Sequence, residues 1–241
     1  PMIPFNQNHF HYNWHWYWDT ATGEFGNNGV HNIDRIRVAM QKDVHPVKIS
    51  CSGGFYAYDS DQEVPNLQVG TYDYGDGTII ELEVRSLYTP KEEESIIFCG
   101  TNGYALLGDN EFKTYAKESG DKLTKVDEQS SKKLGELQTM VLTKDNLDPD
   151  PVREEYEKNG IEYHFVNFLD GMRSRKRKDL NAEVEGGHLS TSLSHLGNIA
   201  YKTGRKLTFD GTTEKFINDD EANALLKRAE YRAPHVMPEK I

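Results

Sequence analysis

Asn66-Leu-Gln-Val-Gly-Thr-Tyr-Asp-Tyr74, then Gly75-Asp76-Gly77, then Thr78-Ile-Ile-Glu-Leu-Glu-Val-Arg-Ser-Leu87 reads as two strands folded back on a glycine-rich turn. In the second arm Ile80, Leu82 and Val84 alternate with Glu81, Glu83 and Arg85. Alternation of that period sends successive side chains to opposite faces, so one face of the hairpin is buried and the other polar. Upstream, Val47, Ile49 and Cys51 alternate with Lys48 and Ser50. Gly53-Gly54 then interrupts before Phe55-Tyr56-Ala57-Tyr58, a pattern that predicts one long strand with a bulge. Downstream, Ser95 to Cys99 and Tyr104 to Leu107 flank the tight turn Gly100-Thr101-Asn102-Gly103, and Glu111 to Tyr115 continues the meander. Lys117 to Gly160 is poor in apolar residues outside Leu137 to Leu142 and predicts a solvated excursion, partly helical after Pro151.

Helical periodicity returns near the end of the chain. Phe165, Phe168, Leu169 and Met172 make an apolar stripe over Tyr163 to Arg173. Leu189, Leu193, Leu196 and Ala200 make another over Gly187 to Thr203, with Gly204 as its stop. Asp219-Asp220-Glu221 opens a short capped helix. These elements predict an α+β fold, an open, mainly antiparallel sheet of about six to eight strands with helices packed on one face. The opposite sheet face, with Tyr72, Tyr74 and Ile79, is the expected interface of a homo-oligomer, closed twofold symmetry being the commonest solution.

With 241 residues, 36% hydrophobic, 28% charged and a net charge of −11, the chain describes an acidic soluble protein. Neither nucleic acid nor a membrane surface is an expected partner, since both attract basic faces. No apolar run suits a membrane span, and the start at Pro1 has no leader pattern, so a cytoplasmic location is expected. That start, within aromatic and amide-rich sequence, fits a fragment as well as a native terminus. Cys51 and Cys99, both in strand-like runs, read as reduced core residues.

The residue types that carry chemistry cluster in three places. Gly23 to Ala39 places a tight loop before a helix with Val30, Ile33, Ile36/Arg37 and Met40 at helical spacing, so His31 and Asp34 sit about one turn apart near its start. They suit convergence on one ligand, and equally a satisfied polar residue beside a favourable first-turn acid. His9-Phe-His-Tyr-Asn-Trp-His-Trp-Tyr-Trp18 suits packing between domains or subunits, or a wall on which Trp16 and Trp18 stack against a sugar ring. Metal ligation by His9, His11 and His15 lacks a Cys or carboxylate partner at usual spacing, and no metal site is expected. The third is Glu185-Gly-Gly-His188 through His195 to Asn198, a polar helix face for a hydroxyl-rich ligand or for structural hydrogen bonds. No Gly-x-Ser-x-Gly elbow supports a hydrolase.

Gly29-Val30-His31-Asn32-Ile33-Asp34 after a glycine and amide-rich turn resembles the segment that opens the C-terminal domain of the Gfo/Idh/MocA oxidoreductases. Gly187 to Ser190, His195 to Ala200, Gly204 to Leu207, Asp219 to Asn223 and Tyr231 to Pro234 are similar to that domain's closing stretch. The resemblance implies that residues 1–241 form one substrate-binding and oligomerising C-terminal domain, with 1–22 as an aromatic segment and 117–160 as the excursion. It implies an NAD- or NADP-dependent enzyme that moves a hydride from a ring C–OH of a sugar or cyclic polyol. In it His31 takes the hydroxyl proton, Asp34 orients the imidazole and Asn27 holds a hydroxyl. Asn27 stands where an acid is commoner in the family, and an amide cannot ionise. His188 and His195 are the further sugar contacts. Neither Gly-x-Gly-x-x-Gly after a strand nor Glu-Lys-Pro occurs, so the expected cofactor belongs to a missing N-terminal Rossmann domain, and this chain alone is expected to bind none and to be inactive. A non-catalytic carbohydrate-binding or assembly module, or a glycosidase acting by transient oxidation with NAD, would use the same residues.

Overall fold

The computed structural model describes residues 5–87, 96–108, 112–117, 123–125, 155, 158–160, 162–228, 231, 233–234 and 236. In chain order its helices and strands are α1 (Gly23–Asn27), α2 (Gly29–Ala39), β1 (Lys48–Gly54), β2 (Leu67–Asp73), β3 (Ile79–Arg85), β4 (Ile96–Gly100), β5 (Gly103–Leu107), β6 (Phe112–Lys117), β7 (Leu123–Lys125), α3 (Tyr163–Ser174), α4 (Val184–Thr203), β8 (Leu207–Asp210), β9 (Lys215–Phe216) and α5 (Asp220–Ala224). They fall into two compact units, Pro1–Tyr88 with Val184–Ile241, and Thr89–Glu183. No helix among the described residues is long and apolar enough to cross a membrane.

The glycine turn does what its sequence dictates. Gly75 and Gly77 take φ of +73° and +92°, conformations costly for a side chain, and the Tyr74 amide bonds the Thr78 carbonyl at 3.0 Å. β2 and β3 pair in register from Leu67↔Arg85 to Asp73↔Ile79. β1 joins the far side of β2, and the first unit's sheet runs β3-β2-β1-β8-β9, all antiparallel. α1, α2 and α4 supply the core over one of its faces, where Phe25, Ile33, Leu193 and Leu196 meet Ile49, Tyr72, Ile80 and Leu82.

The α+β class is as read from sequence, but the strands divide into two sheets instead of one. β4 to β7 form a four-stranded antiparallel meander within the second unit. Turn residues specify which strands are hairpin neighbours; they say nothing about which hairpins share a ladder, and the place beside β1 goes to β8 from far along the chain. β1 also ends at Gly54, with an unbroken register and no bulge. Beyond it the amide of Asn66 brackets Tyr56, accepting from its N–H at 3.0 Å and donating to its carbonyl at 2.7 Å, so these backbone groups are taken outside any ladder.

Tyr72 and Tyr74 do not lie on the outer sheet face. Both are core residues, because Tyr72 pairs with Ile80 across the ladder and cross-strand neighbours share a face. The outer face carries Lys48, Ser50, Thr71, Glu81 and Glu83, and of the three residues expected there only Ile79 is exposed. Cys99 is likewise exposed rather than core, while Cys51 packs partly buried against the first unit's core.

In the second unit Tyr104 and Tyr115 stack across β5 and β6 at 4.5 Å. α3 ends on Arg175 in the left-handed conformation, its N–H bonded to Gly171. The apolar stripe of α3 is not covered: Phe165, Phe168, Leu169 and Met172 are each about half exposed, and Gly171, against which Leu180 packs, is the buried position. The excursion predicted over 117–160 lies largely outside the described residues; within it, β7 extends the sheet.

Candidate functional site

α4 presents two faces. Leu189, Leu193, Leu196 and Ala200 enter the core, which turns His188, Thr191, Ser192, His195 and Lys202 into the wall of an open groove of about 1260 Å³. The chain from Trp18 to Thr22 forms another part of its lining, and the turn residue Glu214 and the segment from Leu225 to Arg228 complete it. Trp18, near the start of the chain, and His188 and His195 of α4 therefore line one cavity. Desolvation lowers the pKa of His195 and that of Lys202, favouring a neutral imidazole in the groove. The Lys202 ammonium sits 3.9 Å from the Trp18 ring centroid, a cation–π contact. The Trp18 N–H donates to Glu63 at 3.0 Å, which holds that segment against the body of the unit.

Trp16 is outside the groove lining. It is half-buried, and its carbonyl accepts from the N–H groups of Glu63 and Val64. The rest of the aromatic segment divides: His15 and Tyr17 are buried, whereas Phe5, Phe10, Tyr12 and Trp14 are exposed.

His31, Asn27 and Asp34 lie on α1 and α2, also outside the groove lining. His31 is exposed, and no described residue bonds its imidazole. Asn27 is exposed and donates to the Tyr12 hydroxyl at 3.3 Å. Asp34 turns toward α4: its carboxylate accepts from Ser190 Oγ at 2.5 Å and lies 3.6 Å from the Arg37 guanidinium. Arg37 is buried and donates to the same Ser190 Oγ at 2.7 Å and to the Lys42 carbonyl at 3.0 Å. Asp34 thus belongs to a network joining α2 to α4, and its bonds lead away from His31.

Two residues missed in the sequence complete a cluster at one side of the groove. His45, from the loop before β1, and Glu214, from the β8–β9 turn, meet His188 of α4. Nε2 of His45 and Nε2 of His188 lie 3.1 Å and 2.6 Å from the same Glu214 oxygen. The bond from His188, then that from His45, holds the Glu214 carboxyl below its ordinary pKa against the opposing effect of burial. No periodicity connects positions 45, 188 and 214; the one signal was His45 beside Pro46, where the chain turns into β1.

The glycines offer no cradle for a dinucleotide. Gly53-Gly54 closes a strand, Gly75 and Gly77 shape a hairpin, and Gly186-Gly187 lies within the first turns of α4. None forms the strand-to-helix turn that lets a helix start approach a pyrophosphate.

Residues 3–106 match a model described as the GFO/IDH/MocA C-terminal domain, and residues 149–237 match one described as the oxidoreductase family C-terminal alpha/beta domain. No curated protein matches. Among solved structures, the chain is similar to yvaA from Bacillus subtilis, at 14% identity and a TM-score of 0.52, over 80% of this chain and 53% of that one. It is similar to an NAD-binding protein from Listeria innocua, at 16% identity and a TM-score of 0.50, over 86% of this chain and 55% of that one. At those identities the likeness shows a shared fold, and the chain spans about half the length of each structure. With both family models matched in order along the chain, and the fold shared with such structures, this protein belongs to the Gfo/Idh/MocA oxidoreductases as a C-terminal domain of that family.

Proposed function

We propose that this chain is the substrate-binding part of an NAD(P)-dependent oxidoreductase acting on a sugar or cyclic polyol, and that the groove along α4 is where the ring sits. The observation that carries this reading is the convergence of Trp18, His188 and His195 on one groove beside hydroxyl donors and acceptors from Thr191 and Ser192. Flat apolar surface with a few convergent polar groups is what a hydroxylated ring requires. The dinucleotide is assigned to a part of the enzyme outside these residues.

The chain's own contribution is to hold the ring and receive a proton. His31, which lies outside the groove lining, is the base that the family resemblance implies, and its imidazole is exposed. Asn27, four residues before it at the end of α1, holds a substrate hydroxyl. Asp34 orients α2 through Ser190 and Arg37, which is the support its bonds provide. In an enzyme that includes the cofactor-binding part, His31→Ala should lower kcat by roughly 10²- to 10⁴-fold, the usual range for a general base. Near wild-type turnover would remove His31 from the proton path. If His195→Ala carried that loss instead, the neutral imidazole in the groove would take its place. Saturation-transfer NMR of this chain with candidate hexoses and inositols tests the groove separately: contact signals should appear and weaken in Trp18→Ala. Equal signals from both proteins would place the ring elsewhere.

A further inference from the structure

We infer that His45, His188 and Glu214 form a binding site for a divalent transition metal, of which Zn²⁺ is the best fit, opening onto the groove along α4. Among the described residues this is the group of three donors whose ligand atoms all lie within 4.8 Å of one another. Tetrahedral zinc with nitrogen and oxygen ligands at about 2.0–2.1 Å separates neighbouring donors by about 3.3 Å. The two imidazole nitrogens stand 3.1 and 2.6 Å from the carboxylate oxygen and within 4.8 Å of one another, so a cation is admitted by shifts on the order of an ångström in two side chains that are themselves half exposed, His188 and Glu214.

The third ligand is preset. The His45 side chain is 5% exposed, its ring packs edge-on against Phe209 at 5.4 Å, and Gly211 lies against its Cβ. Among the described residues its Nδ1 is buried without a partner, so the ring's polar engagement is at the cluster alone. Burying an imidazole for one bond to a half-exposed carboxylate is costly, and a metal at Nε2 supplies what that bond does not. Glu214 holds φ at +50°, an uncommon conformation for a residue with a side chain. The ligands come from the loop before β1, from α4 and from the β8–β9 hairpin, and β8 pairs with β1, a scaffold that fixes their separation. Two imidazoles with one carboxylate suit zinc and its neighbours rather than calcium or magnesium, which prefer all-oxygen shells. Three protein ligands facing a groove leave a position for water or a ligand oxygen.

The inference goes beyond the sugar-binding reading and does not rest on it. The test is calorimetric titration of the EDTA-treated, dialysed chain with Zn²⁺, with Co²⁺ absorption as the report on coordination. One site per chain is expected, with a Kd of about 1 μM or below. His188→Ala and Glu214→Gln should each weaken it by at least about 10²-fold, the upper range for loss of a group that supports a metal. Neither side chain is in the core, so both variants should keep the parent's circular dichroism and unfolding midpoint. Absence of saturable binding, or binding unchanged in both folded variants as zinc held by the N-terminal histidines would give, overturns the assignment. Should either variant unfold, Co²⁺ spectra of the parent decide: no change on Co²⁺ addition rejects the site.

Discussion

Cys51 and Cys99 differ in the property that governs thiol chemistry. Burial raises the Cys51 thiol to about 12, while Cys99 is exposed on β4. The thiolate is the reactive species. Under native conditions one cysteine per chain, Cys99, should react promptly with a disulfide reagent, and Cys51 only on unfolding. Two fast equivalents would contradict the placement of Cys51. Asp76, in the hairpin turn, is held at about 2, first by the bond from Lys42 at 2.6 Å and then by the Thr78 N–H. A carboxyl whose folded pKa is depressed contributes stability above its unfolded value of 3.8, and that contribution is lost as pH falls toward 2. Chemical-shift titration should therefore find Asp76 titrating below the ordinary carboxylate range in the parent and near it in Lys42→Ala. Identical midpoints would dismiss the pair.

Between elements, the contacts that hold α4 are specific and were invisible to a hydrophobic pattern. Gly197 sits where an added Cβ would meet the Phe25 ring at 2.4 Å and the Tyr72 hydroxyl at 2.5 Å, and Gly70 faces Phe25 from the strand side at 2.6 Å. An alanine ordinarily favours a helix over glycine; here overpacking wins, and Gly197→Ala should destabilise by roughly 1–3 kcal/mol in urea unfolding. A gain in stability would mean that Phe25 can move aside. On the neighbouring turns Ser190 bridges buried Arg37 and Asp34. Ser190→Ala removes two bonds to charged groups, a cost of about 1.5–3 kcal/mol, moderated because Asp34 is half exposed. The sequence showed Leu189, Leu193 and Leu196 as one stripe, and that stripe is the core face observed. Which polar residues between them are structural and which line the groove depends on what each meets: Ser190 meets Arg37, whereas His195 faces the groove.

For the whole chain, titration with NAD and NADP should give no low-micromolar dissociation constant, since none of its glycine clusters has the strand-to-helix setting that a pyrophosphate requires. Such a constant for either would refute the division of labour proposed here. The sequence by itself determined what depends on near neighbours. The Gly75-Asp76-Gly77 turn, the pairing of β2 with β3 and of β4 with β5, the core stripe and glycine stop of α4 and the Asp219 cap all follow from turn chemistry, side-chain period and backbone bonding within a few residues. The same local logic overreached where a face needed a partner. Alternation placed Ile80 correctly, yet Tyr72 and Tyr74 were sent to the wrong face because the ladder register, not their own strand's composition, decides which side is buried. The stripe of α3 has the period of a buried face and is exposed. Only tertiary structure decided that the strands make two sheets, that Asp34 bonds Ser190, and that His45, His188 and Glu214 converge. Asp34 and Ser190, and His45 and Glu214, are more than a hundred positions apart, and a pattern of short period carries no information about distances across the folded chain.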